Sequence, residues 1–453
     1  MKRLKNKQKG QVLVYVVIAL VVLLAMVGLA IDLGIAYGVK AKLNAAVDAA
    51  AIAALRDRTS SSGTDSTARD TGTNFFNANF PNGYMGVSSQ PTPQIDLSNA
   101  NGSWVVTVTA SAASPAYFSK VLGWNNFTVG ARSVATKPSL DLVLVIDCTG
   151  SLQSVFSTVK ARAKDFVGKF NPNDDRVGLI SFATGAVVDV PIRTSNRGFD
   201  LNLIKSTIDG YDTPHSNAYT CSEEAMRTAW HELNNVQSNV RSANRVIVFF
   251  SDGAPNTFNG LFPLDPTGTS TVSGDLFSGT TNLSPPTQIY YPNQRNRLKD
   301  NYNVHHLPAT DDSGDQIHLA SDHNPPTRYL SNCDRSNGLC LACDANKAAR
   351  NMLENVAAMA RKDTNKIAIY SLGLGTKLDD PDISEDCPEC HNEKGSLIMK
   401  RIANTDPGTD TTSPKNDTYD STQPTGLYCH ALTIDDLGQC FDAIANAILR
   451  LSQ

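Results

Sequence analysis

The stretch Leu140–Leu152 (LDLVLVIDCTGSL) constrains the fold of this chain more than any other. Its apolar run, Leu142–Ile146, is rich in β-branched residues and stops at Asp147 and a group of small residues. An unbroken apolar run of that length, closed by small polar residues, predicts a strand buried on both faces, as in a parallel sheet. Leu152, Val155, Phe156, Val159, Ala163, Phe166 and Val167 then recur at helical spacing, which places Asp147, Thr149 and Ser151 in a loop between strand and helix. Open α/β sheets bind ligands at the carboxyl ends of their strands. A carboxylate and two hydroxyls there form a hard oxygen cluster suited to Mg2+, Mn2+ or Ca2+. The same residues also suit a plain strand end with a helix N-cap at Asp147 or Ser151.

Two later stretches add to the cluster. Arg245–Phe250 (RVIVFF) is a second buried-strand run and ends in Ser251-Asp252-Gly253. Thr220 sits in a loop just ahead of a helical stretch that begins Ser222-Glu223-Glu224-Ala225. Together with the D-x-T-x-S of Asp147, Thr149 and Ser151, this set resembles the metal-ion-dependent adhesion site of a von Willebrand factor A domain. The family more often has Ser where this chain has Thr149, and often Gly where it has Tyr219; Thr149 keeps the ligand oxygen. The resemblance implies that Thr149, Ser151 and Thr220 bind the metal directly or nearly so, and that Asp147 and Asp252 hold it directly or through water. It also implies a position left for a carboxylate from a protein partner.

Upstream, Val12–Ile31 is a nearly continuous apolar segment without a charge. It is long enough to span a bilayer at about 20 residues, and too long for the apolar region of a cleaved signal peptide. Lys2, Arg3, Lys5, Lys7 and Lys9 precede it, so the N-terminus is expected inside and everything after Asp32 outside the bacterial inner (cytoplasmic) membrane. The net charge is −4, and without those five residues 35 basic face 44 acidic ones, which argues against nucleic acid as a partner. Lys9-Gly10-Gln11 is similar to a prepilin cleavage site, but Tyr15 stands where pilins carry Glu, and the segment is expected to stay uncleaved.

Past the span, Ile35–Leu55 continues as an alanine-rich helix. Ile31-Asp32-Leu33-Gly34 and Lys42–Ala51 (KLNAAVDAAA) resemble the N-terminal segment of TadE/TadG-like proteins of Flp (tight adherence) pilus assembly, over roughly residues 9–55. A helix with so small-sided a face packs closely against another, which admits self-association.

A chain of 453 residues implies two or three modules. Residues 1–10 read as a basic cytoplasmic segment and 11–55 as the transmembrane helix with its continuation. Residues 56–138 read as a Ser/Thr/Asp/Gly-rich linker over 56–72 and a small α+β or β-rich module, with alternating strands at 104–109 and 127–131. Residues 139–453 read as an α/β domain with a doubly wound, mostly parallel sheet of von Willebrand factor A type. Its expected strands are 141–146, 176–182, 186–192, 245–250 and 366–372; its expected helices are 152–169, 199–209, 222–237, 344–361 and 434–450. Two long insertions, about 254–340 and 376–431, are rich in Pro, Gly, Asn and Thr; they are expected to be partly irregular and to hang over the metal site.

Of nine cysteines, Cys148 and Cys221 flank Asp147 and Thr220, and a disulfide between them would staple the site. Cys340-Leu341-Ala342-Cys343 and Cys387-Pro388-Glu389-Cys390 form two C-x-x-C pairs, for which export favours disulfides over a four-cysteine zinc site. Cys387–His391 also satisfies C-x-x-C-H, the c-type haem attachment pattern, within acidic and polar flanks. Cys440 shares the apolar side of the last helix with Leu437, Phe441 and Ile444 and is expected to be buried. No nucleophile–base motif, Walker loop or H-E-x-x-H appears, so a non-enzymatic role is expected.

These readings lead to a membrane-anchored, extracytoplasmic protein of Flp/Tad pilus assembly or adhesion. It is expected to bind an acidic protein partner through Mg2+, with Mn2+ or Ca2+ as alternatives. The rivals are a passive envelope scaffold with a structural metal, and a redox or haem protein using the C-x-x-C pairs.

Overall fold

The computed structural model describes residues 11–60, 63–100, 103–212, 218–277, 287–304, 342–362, 366–379, 394–412 and 415–451. The chain divides into two compact units, Met1–Lys137 and Pro138–Gln453.

The first unit opens with helix α1 (Gln11–Arg58). Its first part, with a mean hydropathy of 3.2 over the most apolar 18-residue window, is long and apolar enough to cross a membrane. Its large side chains from Val12 to Leu29 are exposed. From Val39 onward one face turns inward. Val39, Leu43, Ala46, Val47, Ala50 and Ala54 pack with Phe76 and Phe80, and with Ile95, Val106 and Val108. Helix α2 (Asp65–Asn79) supplies Phe76. Strands β1 (Gln94–Ala100), β2 (Ser103–Pro115) and β3 (Asn126–Pro138) form a sheet in the order β1-β2-β3.

The stretch 56–72 is therefore not a linker throughout. Thr64 caps α2 through a reciprocal bond with Thr67, so the Ser/Thr/Asp content that reads as a loop is a helix N-terminus. The small face of α1 meets α2 of the same chain: a Cβ on Gly72 would lie 3.0 Å from the Ala54 Cβ and 3.2 Å from the Ala50 carbonyl.

The second unit is built on a six-stranded sheet. In chain order its elements begin with β4 (Leu140–Asp147), α3 (Phe156–Val167), β5 (Arg176–Phe182), β6 (Ala186–Val190), α4 (Leu201–Asp209), α5 (Ser222–Asn235) and β7 (Asn244–Ser251). There follow β8 (Thr257–Pro263), β9 (Thr271–Phe277), β10 (Thr287–Tyr290), β11 (Leu298–Tyr302), α6 (Ala342–Lys362), β12 (Ala368–Leu374), α7 (Gly395–Ala403), β13 (Tyr428–Ala431) and α8 (Leu437–Leu451). The large sheet runs β13-β12-β7-β4-β5-β6; all its pairs are parallel except β5 with β6.

Every residue of β4 is buried, and the two faces feed two cores. Leu142, Leu144 and Ile146 pack with residues of α3, α4 and α8, whereas Val143 and Val145 pack with residues of α5, α6 and α7. An apolar run without alternation is what a strand covered on both sides requires.

The first insertion carries more regular structure than its composition implies. Strands β8 to β11 form a separate antiparallel sheet in the order β11-β10-β9-β8. Phe258, Phe262, Val272, Leu276 and Ile289 close a small core with Ala348, Ala349 and Met352 of α6. The second insertion contributes α7, whose Ile398, Met399 and Ile402 enter the main core.

Candidate metal centre

The register of the central strands sets up the site. Ile146 lies opposite Phe250, so β4 and β7 end side by side and deliver Asp147 and Ser251 to the same edge of the sheet. Asp147 is wholly buried. Its Oδ1 accepts the Thr149 N–H at 2.8 Å, and its Oδ2 accepts the Ser251 hydroxyl at 2.5 Å. The first bond folds the loop back so that Thr149 Oγ1 and Ser151 Oγ stand 3.1 Å apart.

Asp252 completes the group from β7's end. Its Oδ1 accepts the Ser151 hydroxyl at 2.8 Å and the Thr149 hydroxyl at 3.5 Å. Three oxygens from two loops thus form a triangle with edges of 2.8, 3.1 and 3.5 Å. Neighbouring ligands on an octahedral Mg2+ are about 3.0 Å apart, given Mg–O distances of about 2.1 Å. The triangle fits one face of such an octahedron. Asp147, Thr149 and Asp252 are buried, whereas Ser151 is exposed, so the group opens to solvent on Ser151's side.

Thr220 is brought alongside by a loop tied down at three consecutive backbone positions. The Tyr219 N–H donates to Thr184 Oγ1 at 3.0 Å, the Thr220 N–H to Asn256 Oδ1 at 2.8 Å, and the Cys221 N–H to the Ala183 carbonyl at 2.8 Å. The Thr220 carbonyl accepts from the N–H groups of Asn256 and Thr257. Its hydroxyl is 3.7 Å from where a Cβ would stand on Gly253, next to Asp252. The structure thus brings Asp147, Thr149, Ser151 and Asp252 together by hydrogen bonds, with Thr220 on a neighbouring loop beside Gly253.

The electrostatics favour a cation. Burial pushes the Asp147 carboxyl up, against the hydrogen bonds from Ser251 and Thr149 that favour its charged form. Burial and then the Asp147 charge push Asp252 up to about 7, opposed by the Ser151 hydroxyl and the Lys377 charge. Two buried carboxylates repel, and a divalent ion among these hard oxygens would relieve the repulsion.

Residues 141–271 match the family model of the von Willebrand factor type A domain, and residues 10–57 match that of the Flp pilus-assembly TadE/G-like segment. The chain carries a von Willebrand factor A domain behind a TadE/G-like segment. No curated protein sequence matches it. Similar solved structures include the open conformation of the pilus adhesin SpaC from Lactobacillus rhamnosus GG, with 16% identity over 80% of this chain and 34% of that one, at a TM-score of 0.39. The vWF domain of the type V pili tip protein Mfa5 from Porphyromonas gingivalis shows 16% identity over 70% and 98%, at a TM-score of 0.37. Proximal thread matrix protein 1 from the mussel byssus, with a zinc-occupied MIDAS motif, shows 12% identity over 69% and 46%, at a TM-score of 0.32. The chain spans about a third of the length of SpaC.

The A domain corrects one expectation about its cysteines. Cys148 and Cys221 are both buried and free. Cys148 joins the core on the α3 face of the sheet, while Cys221, the residue that opens α5, groups with Glu224 and Asp275. The disulfide among the described residues is Cys429–Cys440, which ties β13 to α8. Cys440 is buried, on the side of α8 that holds Leu437, Phe441 and Ile444. Cys333, Cys340, Cys387, Cys390 and His391, and the side chain of Cys343, lie outside the described residues.

Sequence reasoning missed the supporting residues Ser251, Asn256, Thr184 and Lys377. Ser251 had a signal, standing immediately before Asp252 at the strand end; the others are separated from the motif and only the fold unites them. It also missed a buried group of Cys221, Glu224 and Asp275, whose ligand atoms lie within 4.8 Å of one another. Glu224 there accepts the N–H groups of Ala186, at the start of β6, and of Asn293, and Asp275 of β9 accepts the amide of Asn259 opposite it on β8.

Proposed function

We propose that this protein is a single-pass, membrane-anchored component of Flp-type pilus assembly or adhesion, and that its A domain captures a protein partner through a divalent cation. The observation that carries the metal reading is the oxygen triangle of Thr149, Ser151 and Asp252, backed by Asp147 and Thr220. Thr149, Ser151 and Thr220 would hold the ion directly, with Asp147 and Asp252 bound directly or through water. The short edges favour Mg2+ over the longer-bonded Ca2+, with Mn2+ as an alternative. When bound, the ion would offer an open coordination position on the Ser151 side, most attractive to an acidic side chain of the partner where Asp147 and Asp252 are held through water and the direct protein ligands are neutral hydroxyls.

The chain's own residues prepare that site. Ser251 and the Thr149 N–H fix Asp147, Asn256 and Ala183 fix the Thr220 loop, and the exposed Ser151 leaves the mouth open. The basic residues ahead of α1 support an inner-membrane protein with its N-terminus in the cytoplasm. The Cys429–Cys440 disulfide suits an oxidising compartment outside it.

The test is calorimetric titration of Mg2+ and Mn2+ into the full chain in detergent, wild type beside Asp147→Ala. Binding at one site in the wild type and none in the variant supports the proposal. Equal binding in both, or none in either, overturns the metal reading. Partner capture is tested by pull-down with and without a chelator; capture that is unaffected by chelation removes the cation from the mechanism.

A further inference from the structure

The segment Tyr117–Trp124 (YFSKVLGW) joins β2 to β3 in the first unit and is a poor surface loop for water. Val121 is 90% exposed, Leu122 70%, Tyr117 57%, Trp124 55% and Phe118 52%. Five large apolar or aromatic side chains on one short loop form the kind of patch that marks an interaction surface.

Its position says what the surface faces. Asp32 of α1, itself fully buried, accepts the backbone N–H groups of Tyr117 at 2.9 Å, Phe118 at 3.0 Å and Ser119 at 2.6 Å. Gly28, one turn earlier in α1, makes room for Phe118: a Cβ there would come within 2.7 Å of the Phe118 Cβ. The loop is closed by Gly123 at φ +93°, and Trp124 stacks edge-on against Phe127. It is thus fastened to α1 over Gly28–Asp32. That is the last turn of the uncharged run Val12–Ile31, about 6 Å of helix. Its exposed apolar surface continues that of the run. Tyr and Trp are the residues that settle at a membrane–water interface, and Lys120 between them suits lipid phosphates.

We propose that Tyr117–Trp124 is an interfacial anchor that dips into the lipid at the domain-side end of α1 and fixes the depth and tilt at which the first unit meets the membrane. This rests on α1 spanning the bilayer. In that setting Val121 and Leu122 enter the acyl region while Tyr117, Trp124 and Lys120 sit among the headgroups. Asp32 serves as a buried clamp, taking up three N–H groups at a depth where water is scarce.

The test uses the full chain in liposomes of phosphatidylcholine and phosphatidylglycerol, with plain or brominated acyl chains. The other tryptophans are Trp104, which is buried, and Trp230, which belongs to the second unit. The expected result is quenching of wild-type tryptophan emission by brominated lipid, and loss of that quenching in Trp124→Phe. Val121→Asp with Leu122→Asp should weaken the quenching while the protein still floats with the liposomes and resists carbonate extraction. Two outcomes overturn the anchor alone: a protein that floats but is quenched equally in wild type and Trp124→Phe, or an unquenched Trp124 whose emission shifts with protein concentration, which marks a second copy as the occupant. A protein that neither floats nor resists extraction overturns the spanning helix, and the anchor with it.

Discussion

Ser151 Oγ donates a 2.8 Å hydrogen bond to Asp252 Oδ1 across 101 positions of sequence, closing the loop after β4 onto the end of β7. Without a cation this bond is one of the few that favour the charged form of Asp252. With a cation, both oxygens are free to turn to the metal. In the proposed metal site the hydrogen-bonded group would serve as a preorganised donor set, its ordering cost met by folding rather than by binding.

Replacing Asp252 separates the two roles. Asp252→Asn removes one anionic ligand and should weaken Mg2+ binding by at least about tenfold, since ligand charge sets affinity in such sites. It also removes a buried like-charge contact with Asp147. In excess chelator at pH 8 the variant should therefore melt at or above the wild-type temperature. A large drop in melting temperature together with intact Mg2+ affinity would sink this assignment.

The same pair sets a pH dependence. Asp252's carboxyl lies at about 7 in the folded chain against an ordinary 3.8. Between these values the folded state binds more protons at this pair than the unfolded one, so the pair's contribution to metal-free stability is fully present below about pH 4 and is lost as pH rises through about 7. The loss is on the order of 4 kcal/mol, shared by the coupled pair. Mg2+ should restore stability above pH 7 and have little effect at pH 5, where protons compete for its ligands. Urea melts at pH 5 and pH 8, with Mg2+ or chelator, check the sign; a chelated domain that gains stability from pH 5 to pH 8 contradicts it.

What was legible depended on whether the signal was local. Leu142–Ile146 announces its burial because both faces of β4 are covered, and Asp147 and Asp252 stand at strand ends that the apolar runs locate. Thr220 was legible from its place ahead of α5. The helix α2 was not, because Thr64 and Thr67 act as a cap and the stretch from Asp65 to Asn74 has no large apolar residue to set a helical period before Phe75, Phe76 and Phe80. Nor was the small sheet: Gly260 and Gly274 face each other in its β8–β9 ladder and read as loop residues. A Cβ on Gly274 would fall 2.2 Å from Ile289 Cγ2, so its glycine serves close packing. The fate of Cys148 and Cys221 turned on which surroundings each side chain enters, which spacing along the chain does not reveal.

The opposite end of β4 carries a different kind of charge. Asp141 and Arg176 are fully buried and paired at 2.9 Å, and Asp141 also accepts the Ser242 N–H and hydroxyl, each at 2.8 Å. Asp141→Ala strands the Arg176 charge and should cost about 3–5 kcal/mol. The pair lies about 20 Å along the strand from Asp147, so the variant, where folded, should bind Mg2+ as wild type does. Denaturant melts beside the titration distinguish this structural role from a role at the metal.

The cysteines give a last prediction. Cys429–Cys440 closes an 11-residue separation, so Cys440→Ser should destabilise the second unit by about 2–3 kcal/mol, and reductant should do the same to the wild type. Cys148 and Cys221 should behave differently. Burial pushes both thiols well above their ordinary range, with the Asp147 charge adding to the effect at Cys148 and the Asp275 charge at Cys221. The thiolate is the reactive form, so neither should be alkylated in the native protein near pH 8, and both should react once it is unfolded. Peptide mapping after native alkylation reads all four positions at once: a 429–440 cross-linked peptide with Cys148 and Cys221 unmodified is expected. A cross-link between Cys148 and Cys221 would mean that the loops at the metal centre sit differently, because Cys148 would have to leave the core on the α3 face and Cys221 its group with Glu224 and Asp275.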